Sequence, residues 1–193
     1  MKIILFSRPQ VAHDAGELRQ LFDGLDAFGF ECVVNEEFAP VAERLTGRLF
    51  PPSARYGSRV GEVDARAAVM LCYGGDGTLL EGAHRLGGAP VPVLGVNAGH
   101  LGFLTSVPTG GMAPLLEEIR DGGLRTEPRT LLEVRGSFAQ QPESTFCLNE
   151  FTVQRHGAGL ISVETYVDEQ MVATYHGCLL YTSPSPRDIS GSR

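Results

Sequence analysis

Gly74-Gly75-Asp76-Gly77-Thr78 is the run of this chain best suited to chemistry. Three glycines let a backbone turn sharply and approach a ligand with no Cβ in the way. Backbone N–H groups in such a bend, with a helix N-terminus behind them, make an anion site. Gly74, Gly75, Gly77 and Thr78 are therefore the candidate phosphate-binding residues. An aspartate here needs a reason, because its charge repels phosphate. Two reasons are physical: Asp76 can hold Mg²⁺ against phosphates, or accept a proton from an attacking hydroxyl. The plainer reading is a tight turn in which Asp76 caps the helix that follows.

Two further runs could complete a nucleotide site. Asn97-Ala98-Gly99-His100-Leu101-Gly102-Phe103-Leu104 also follows an apolar run, and Phe103 and Leu104 offer the apolar wall that a flat heterocycle needs. The bland alternative makes Phe103 core filler. Asn149-Glu150 pairs an amide with a carboxylate, which can hold the two hydroxyls of a ribose. Alone, such a pair is more often a surface turn. No residues are assigned as metal ligands, since His13, His84, His100 and His156 lack partners at metal spacing.

The elements that must position these residues follow from periodicity. Residues 2–6 form an apolar run suited to a buried strand. Leu18, Leu21, Phe22, Leu25 and Phe28 then recur at helical spacing, with Asp14 and Glu17 as a capping box and Gly29 as the stop. Residues 30–34 read as a second strand, which opens a parallel α/β sheet. Residues 35–62 contain Pro40, Pro51 and Pro52, and 45–56 is expected to be a mobile connection around a short helix. A buried strand at 67–73 runs into the glycine loop, with helix at 79–86, strand at 92–96 and helix at 112–120. From about 126 the pattern becomes antiparallel β, at 130–135, 150–154, 161–167 and 170–175, with Gly157-Ala158-Gly159 as a hairpin turn. The fold class is thus α/β: a Rossmann-like parallel domain over 1–125, then the start of a β-rich domain over 126–177.

Composition narrows the function. A net charge of −7, from 16 basic and 23 acidic residues, excludes a general affinity for nucleic acid or anionic membrane. No apolar run reaches the roughly 18 residues of a membrane span. The first residues read as a strand, not a secretory signal. Cys32, Cys72, Cys147 and Cys178 show no C-x-x-C spacing, so reduced thiols and a cytoplasmic setting are expected.

Four blocks in order resemble the NAD kinase family. They are Gly74-Gly75-Asp76-Gly77-Thr78-Leu79-Leu80, the run from Leu94 to Leu104, Leu148-Asn149-Glu150-Phe151-Thr152-Val153, and the stretch from Thr165-Tyr166-Val167-Asp168 to Tyr175-His176-Gly177. The first alone also fits diacylglycerol-type lipid kinases and phosphofructokinases, and a non-catalytic nucleotide-binding module is the alternative of a different class. The resemblance implies an α/β domain and a β-rich domain with NAD between them. It also implies ATP or polyphosphate as donor, a divalent cation such as Mg²⁺, and a homo-oligomeric parent. By position, Asp76 matches the catalytic aspartate and Gly77 lies against substrate. Phe103 and Leu104 line the pocket, and Asn149 and Glu150 bind the dinucleotide.

The resemblance stops at Gly177. The family continues with Asp-Gly and then a Thr/Ser-Pro-Thr/Ser-Gly segment, whereas Cys178 stands here and Ser185-Pro186-Arg187 lacks the glycine. Residues 178–193 resemble a translated sequencing-library adapter. The expectation is a C-terminally truncated, inactive chain with a non-native tail, from a parent gene that encodes a working kinase.

Overall fold

The computed structural model describes residues 1–97, 104, 107–108, 111–136, 146–148, 152–154, 160–177 and 179–181. The chain opens with β1 (Lys2–Phe6), α1 (Ala15–Ala27) and β2 (Glu31–Asn35), followed by α2 (Ala39–Thr46) and β3 (Arg55–Tyr56). Next come β4 (Ala68–Tyr73), α3 (Asp76–Arg85), β5 (Val93–Asn97), β6 (Val107–Pro108) and α4 (Met112–Asp121). Six strands form one sheet in the order β3-β2-β1-β4-β5-β6. Every pairing in it is parallel, as the expected α/β class requires.

The side-chain alternation of β1 and β4 explains the layers. Ile3, Leu5, Leu71 and Tyr73 face α1 and α4, where Leu18, Leu21, Phe22, Leu25, Leu115, Leu116 and Ile119 complete one core. Ile4, Phe6, Met70 and Cys72 face the other way, onto Leu79 of α3 and Val91. Both faces are covered, which is why these strands read as continuous apolar runs. Each fully buried Leu, Ile or Phe contributes about 1.5–3 kcal/mol relative to exposure. Asp14 caps α1 by accepting from the Glu17 N–H at 2.9 Å, and Gly29 takes the left-handed conformation beyond its end.

Two expectations about elements are corrected. The short helix lies at Ala39–Thr46, ahead of the expected 45–56 connection, because Pro40 falls in its first turn, where a missing N–H costs nothing. Phe50 and Tyr56 are buried, and β3 extends the sheet beside β2, so this segment is part of the packed fold. Leu179–Tyr181, read as aperiodic tail, forms β12, antiparallel to β9 (Thr152–Gln154). An apolar Leu-Leu-Tyr run suits strand pairing once a distant partner is present.

Beyond α4 the structure is antiparallel, as expected: β7 (Leu132–Glu133) pairs with β8 (Phe146–Cys147). β10 (Ile161–Val167) pairs with β11 (Gln170–Gly177). Asp168 and Glu169, both at positive φ, make the tight turn between the last two. The hairpin turn expected at 157–159 lies outside the described residues. No helix among the described residues is long and apolar enough to cross a membrane.

Candidate functional site

β1 hands its chain to β2 on one side and neighbours β4 on the other, so the strand order reverses between β1 and β4. Open α/β sheets bind ligands beyond the carboxyl ends of strands at such a point. Two segments emerge there: Ser7-Arg8 after β1, and Gly74-Gly75 after β4.

The glycine run is tighter than its sequence suggests. Asp76, Gly77 and Thr78 are already the first turn of α3, with Gly75 as its N-cap, so the expected helix at 79–86 starts three residues early. The Gly75 carbonyl accepts from Thr78 N at 2.9 Å and from Leu79 N at 3.2 Å, which closes the helix at Gly75. Asp76 is therefore inside the first turn and is not the cap. Gly74 donates to the Val96 carbonyl at 2.8 Å, which ties the bend to β5. Its φ is +152°, and a Cβ there would lie 2.4 Å from Thr78 Oγ1, so only glycine fits. Thr78 is 2% exposed and supports the bend from behind. Gly75 faces open space, and among the described residues nothing accepts from the N–H of Gly75 or Gly77.

Asp76 is half-buried, and its Oδ1 accepts from the backbone N–H of Leu104 at 2.9 Å. This bond joins the turn after β4 to the segment after β5. Leu104 and Leu148 pack against the same core as Leu79, which brings the approaches to the second and third sequence runs beside α3. Asn97 is buried at the end of β5. Phe103, Asn149 and Glu150, expected to line the nucleotide pocket, lie outside the described residues.

Sequence reading missed the contribution of the segment after β1. Ser7 is fully buried, donates from Oγ to the Tyr73 carbonyl at 2.6 Å, and lies 2.8 Å from His13 Nε2. Because Ser7 spends its proton on Tyr73, His13 is the donor in the second bond. The pair is thus a latch and not an activated nucleophile. The His13 ring stacks on Tyr73 at 5.8 Å and tilts against Phe38 at 4.8 Å, and burial lowers its pKa. The Tyr73 hydroxyl donates to Glu17, and burial pushes its pKa up.

Arg8 leaves the latch toward α3. Its Nε donates to Glu81 at 2.6 Å, and its guanidinium lies where a Cβ on Gly77 would come within 3.2 Å of Nη1. Glu81 also accepts from Arg85 at 3.0 Å, and Arg85 reaches Glu37 at 3.2 Å. Burial opposes ionisation of Glu81, but the Arg85 and Arg8 guanidiniums outweigh it and hold the carboxyl below its usual range. Arg8 lies two residues past the first predicted strand, but only the strand order places its loop at the switch point.

Cys32, Cys72 and Cys147 are free thiols, and Cys178 lies outside the described residues. Burial pushes the Cys32 thiol up to about 12, and the Cys72 thiol upward as well. Both are inert at neutral pH.

Residues 19–124 match the ATP-NAD kinase N-terminal domain family, more than half of the chain and every strand of the six-stranded sheet except β1. The chain belongs to the NAD kinase family. Among curated relatives, a NAD kinase of Porphyromonas gingivalis is 38% identical over 107 residues, 55% of this chain and 36% of the relative. A NAD kinase of Heliobacterium modesticaldum is 36% identical over 146 residues, 74% of this chain and 50% of the relative. One from Christiangramia forsetii is 27% identical over 178 residues, 91% of this chain and 60% of the relative. Yeast NADH kinase, solved in complex with NADH, has a similar fold: a TM-score of 0.67 at 18% identity, over 93% of this chain and 56% of that one. The chain spans about half the length of the family members it matches.

Proposed function

We propose that this chain carries the donor-binding half of a NAD kinase, which transfers the terminal phosphoryl group of ATP or polyphosphate to the adenosine-ribose 2′-hydroxyl of NAD. The observation that carries the reading is the place of Asp76: a carboxylate in the first turn of α3, at the strand-order switch, tied by Leu104 to the segment after β5. The ribose hydroxyl is a weak nucleophile until a carboxylate accepts its proton, and Asp76 is the residue for that task. As the 2′-oxygen bonds to the terminal phosphorus, its proton passes to Asp76 and the bond from that phosphorus to its bridging oxygen breaks, which releases ADP from ATP or a polyphosphate one phosphate shorter. The N–H groups of Gly75 and Gly77, with the N-terminus of α3, receive the donor's phosphates and offset charge on the transferring group.

A divalent cation would be held by Asp76 together with the donor's own phosphate oxygens, as Mg²⁺ commonly is. It would supply charge neutralisation there. Phe103 and Leu104 are proposed to line the nucleotide pocket, with Asn149 and Glu150 on the dinucleotide and the cytoplasm as the setting.

Turnover is proposed for the whole protein. Residues 1–193 alone are expected to form no NADP, because the chain covers half of its relatives' length and Tyr166, Val172 and Tyr175 stand exposed on the β10–β11 hairpin. The test offers the whole protein ATP with NAD, diacylglycerol and fructose 6-phosphate in parallel. NADP formation in a coupled NADPH assay, with ATP unspent on the other two, is the expected result. ATP spent on either of those and not on NAD overturns the reading; nucleotide binding without any transfer makes the protein a binding module.

A further inference from the structure

The carboxylate of Asp76 leaves one problem for a phosphate site: its charge opposes the polyanion that the bend receives. Arg8 sits where that opposition can be offset. Its guanidinium lies over Gly77, in the same first turn as Asp76, and a Cβ at position 77 would crowd its Nη1 at 3.2 Å. Glu81 engages Nε at 2.6 Å, and among the described residues neither Nη group has a hydrogen-bond acceptor. The side chain is 44% exposed, so the Nη edge can be reached from solvent.

The position is built. Immediately before Arg8, Ser7 is locked to the Tyr73 carbonyl and to His13. Immediately after it, the Arg8 carbonyl accepts from Val11 N at 3.1 Å, which closes a turn. Glu81 is itself held by Arg85, so the anchor of Arg8 is fixed from its far side. We infer that Arg8 is a binding residue for the donor triphosphate: its Nη edge grips phosphate oxygens in two parallel hydrogen bonds while Gly75 and Gly77 offer N–H groups. The absence of a side chain at position 77 is what lets that guanidinium come so close.

This rests on the kinase reading, and the test separates the two. The whole protein and its Arg8→Gln and Arg8→Lys variants are titrated calorimetrically with ATP, inorganic tripolyphosphate and NAD, and melted thermally. Arg8→Gln is expected to weaken ATP and tripolyphosphate about 10- to 100-fold, the loss of a charge-assisted contact, with NAD affinity unchanged. Arg8→Lys is expected to regain part of the loss, because a point charge replaces the planar fork. Lower salt should strengthen tripolyphosphate binding more in the parent than in Arg8→Gln, a readout that a purely structural role leaves unmoved. Equal tripolyphosphate affinity in parent and Arg8→Gln overturns the assignment and leaves the kinase reading standing. A loss confined to NAD overturns it too, by moving Arg8 to the acceptor. A parent protein that binds NAD but no triphosphate overturns both.

Discussion

Asp76 Oδ1 and the backbone N–H of Leu104 lie 2.9 Å apart, so one carboxylate oxygen is spent on holding two strand-end segments together. This separates two roles that a single substitution usually confounds. Asparagine keeps a carbonyl oxygen that can accept from Leu104 but cannot take up a proton from the ribose hydroxyl. Alanine loses both functions.

Asp76→Asn is accordingly expected to cut turnover by about 10²–10⁴-fold, with NAD affinity and melting temperature near those of the parent. Asp76→Ala is expected to lose the same turnover and, in addition, roughly 1–3 kcal/mol of stability, as a charged hydrogen bond disappears. Coupled NADPH assays, calorimetry and thermal melts of the two variants check both. Comparable activity of Asp76→Asn and the parent removes Asp76 from the chemistry.

Gly74 and Gly75 are adjacent yet should respond oppositely to alanine. Gly74 has a φ of +152° and Thr78 Oγ1 at 2.4 Å from the would-be Cβ, whereas Gly75 has a φ of −86° with nothing within 4 Å. Gly74→Ala is expected to cost about 1–3 kcal/mol or more in backbone strain, which lowers Tm by about 3–10 °C. Gly75→Ala should leave Tm close to the parent value while it crowds the open side where phosphate is proposed to sit. Paired melts and tripolyphosphate titrations read the contrast; equal melting losses in the two variants dissolve it.

The α/β frame was legible because burial leaves a local imprint. The apolar runs of β1 and β4 and the 3.6-residue spacing from Leu18 to Phe28 follow from which faces meet a core. The start of α3 was hidden, since Asp76, Gly77 and Thr78 are poor helix formers and the helix begins there only because Gly75 supplies its carbonyl. Pro40 left most of α2 without an assigned element, although proline suits a helix's first turn. The strand at Leu179–Tyr181 depends on a partner more than twenty residues away, which no local window contains. At the site, the glycine run announced itself, whereas Arg8 did not. Its significance comes from the strand order that sets β1 beside β4.

His13 makes stability depend on pH in a direction that can be worked out. Burial against Phe38 and Tyr73 lowers its pKa below the ordinary value of 6.5. The folded state thus prefers the neutral ring that donates to Ser7, while the unfolded chain takes up a proton near 6.5. Between those two values the unfolded state binds more protons, so stability rises with pH across the window. The His13 contribution is fully present above 6.5, is lost progressively as pH falls toward the folded pKa, and is constant below it. His13→Gln keeps an N–H donor for Ser7 but cannot titrate. Urea melts from about pH 8 to about pH 5.5 should show the parent losing stability on acidification, and the variant losing less over the same range. A variant whose stability profile parallels the parent's would place the acid response elsewhere in the fold.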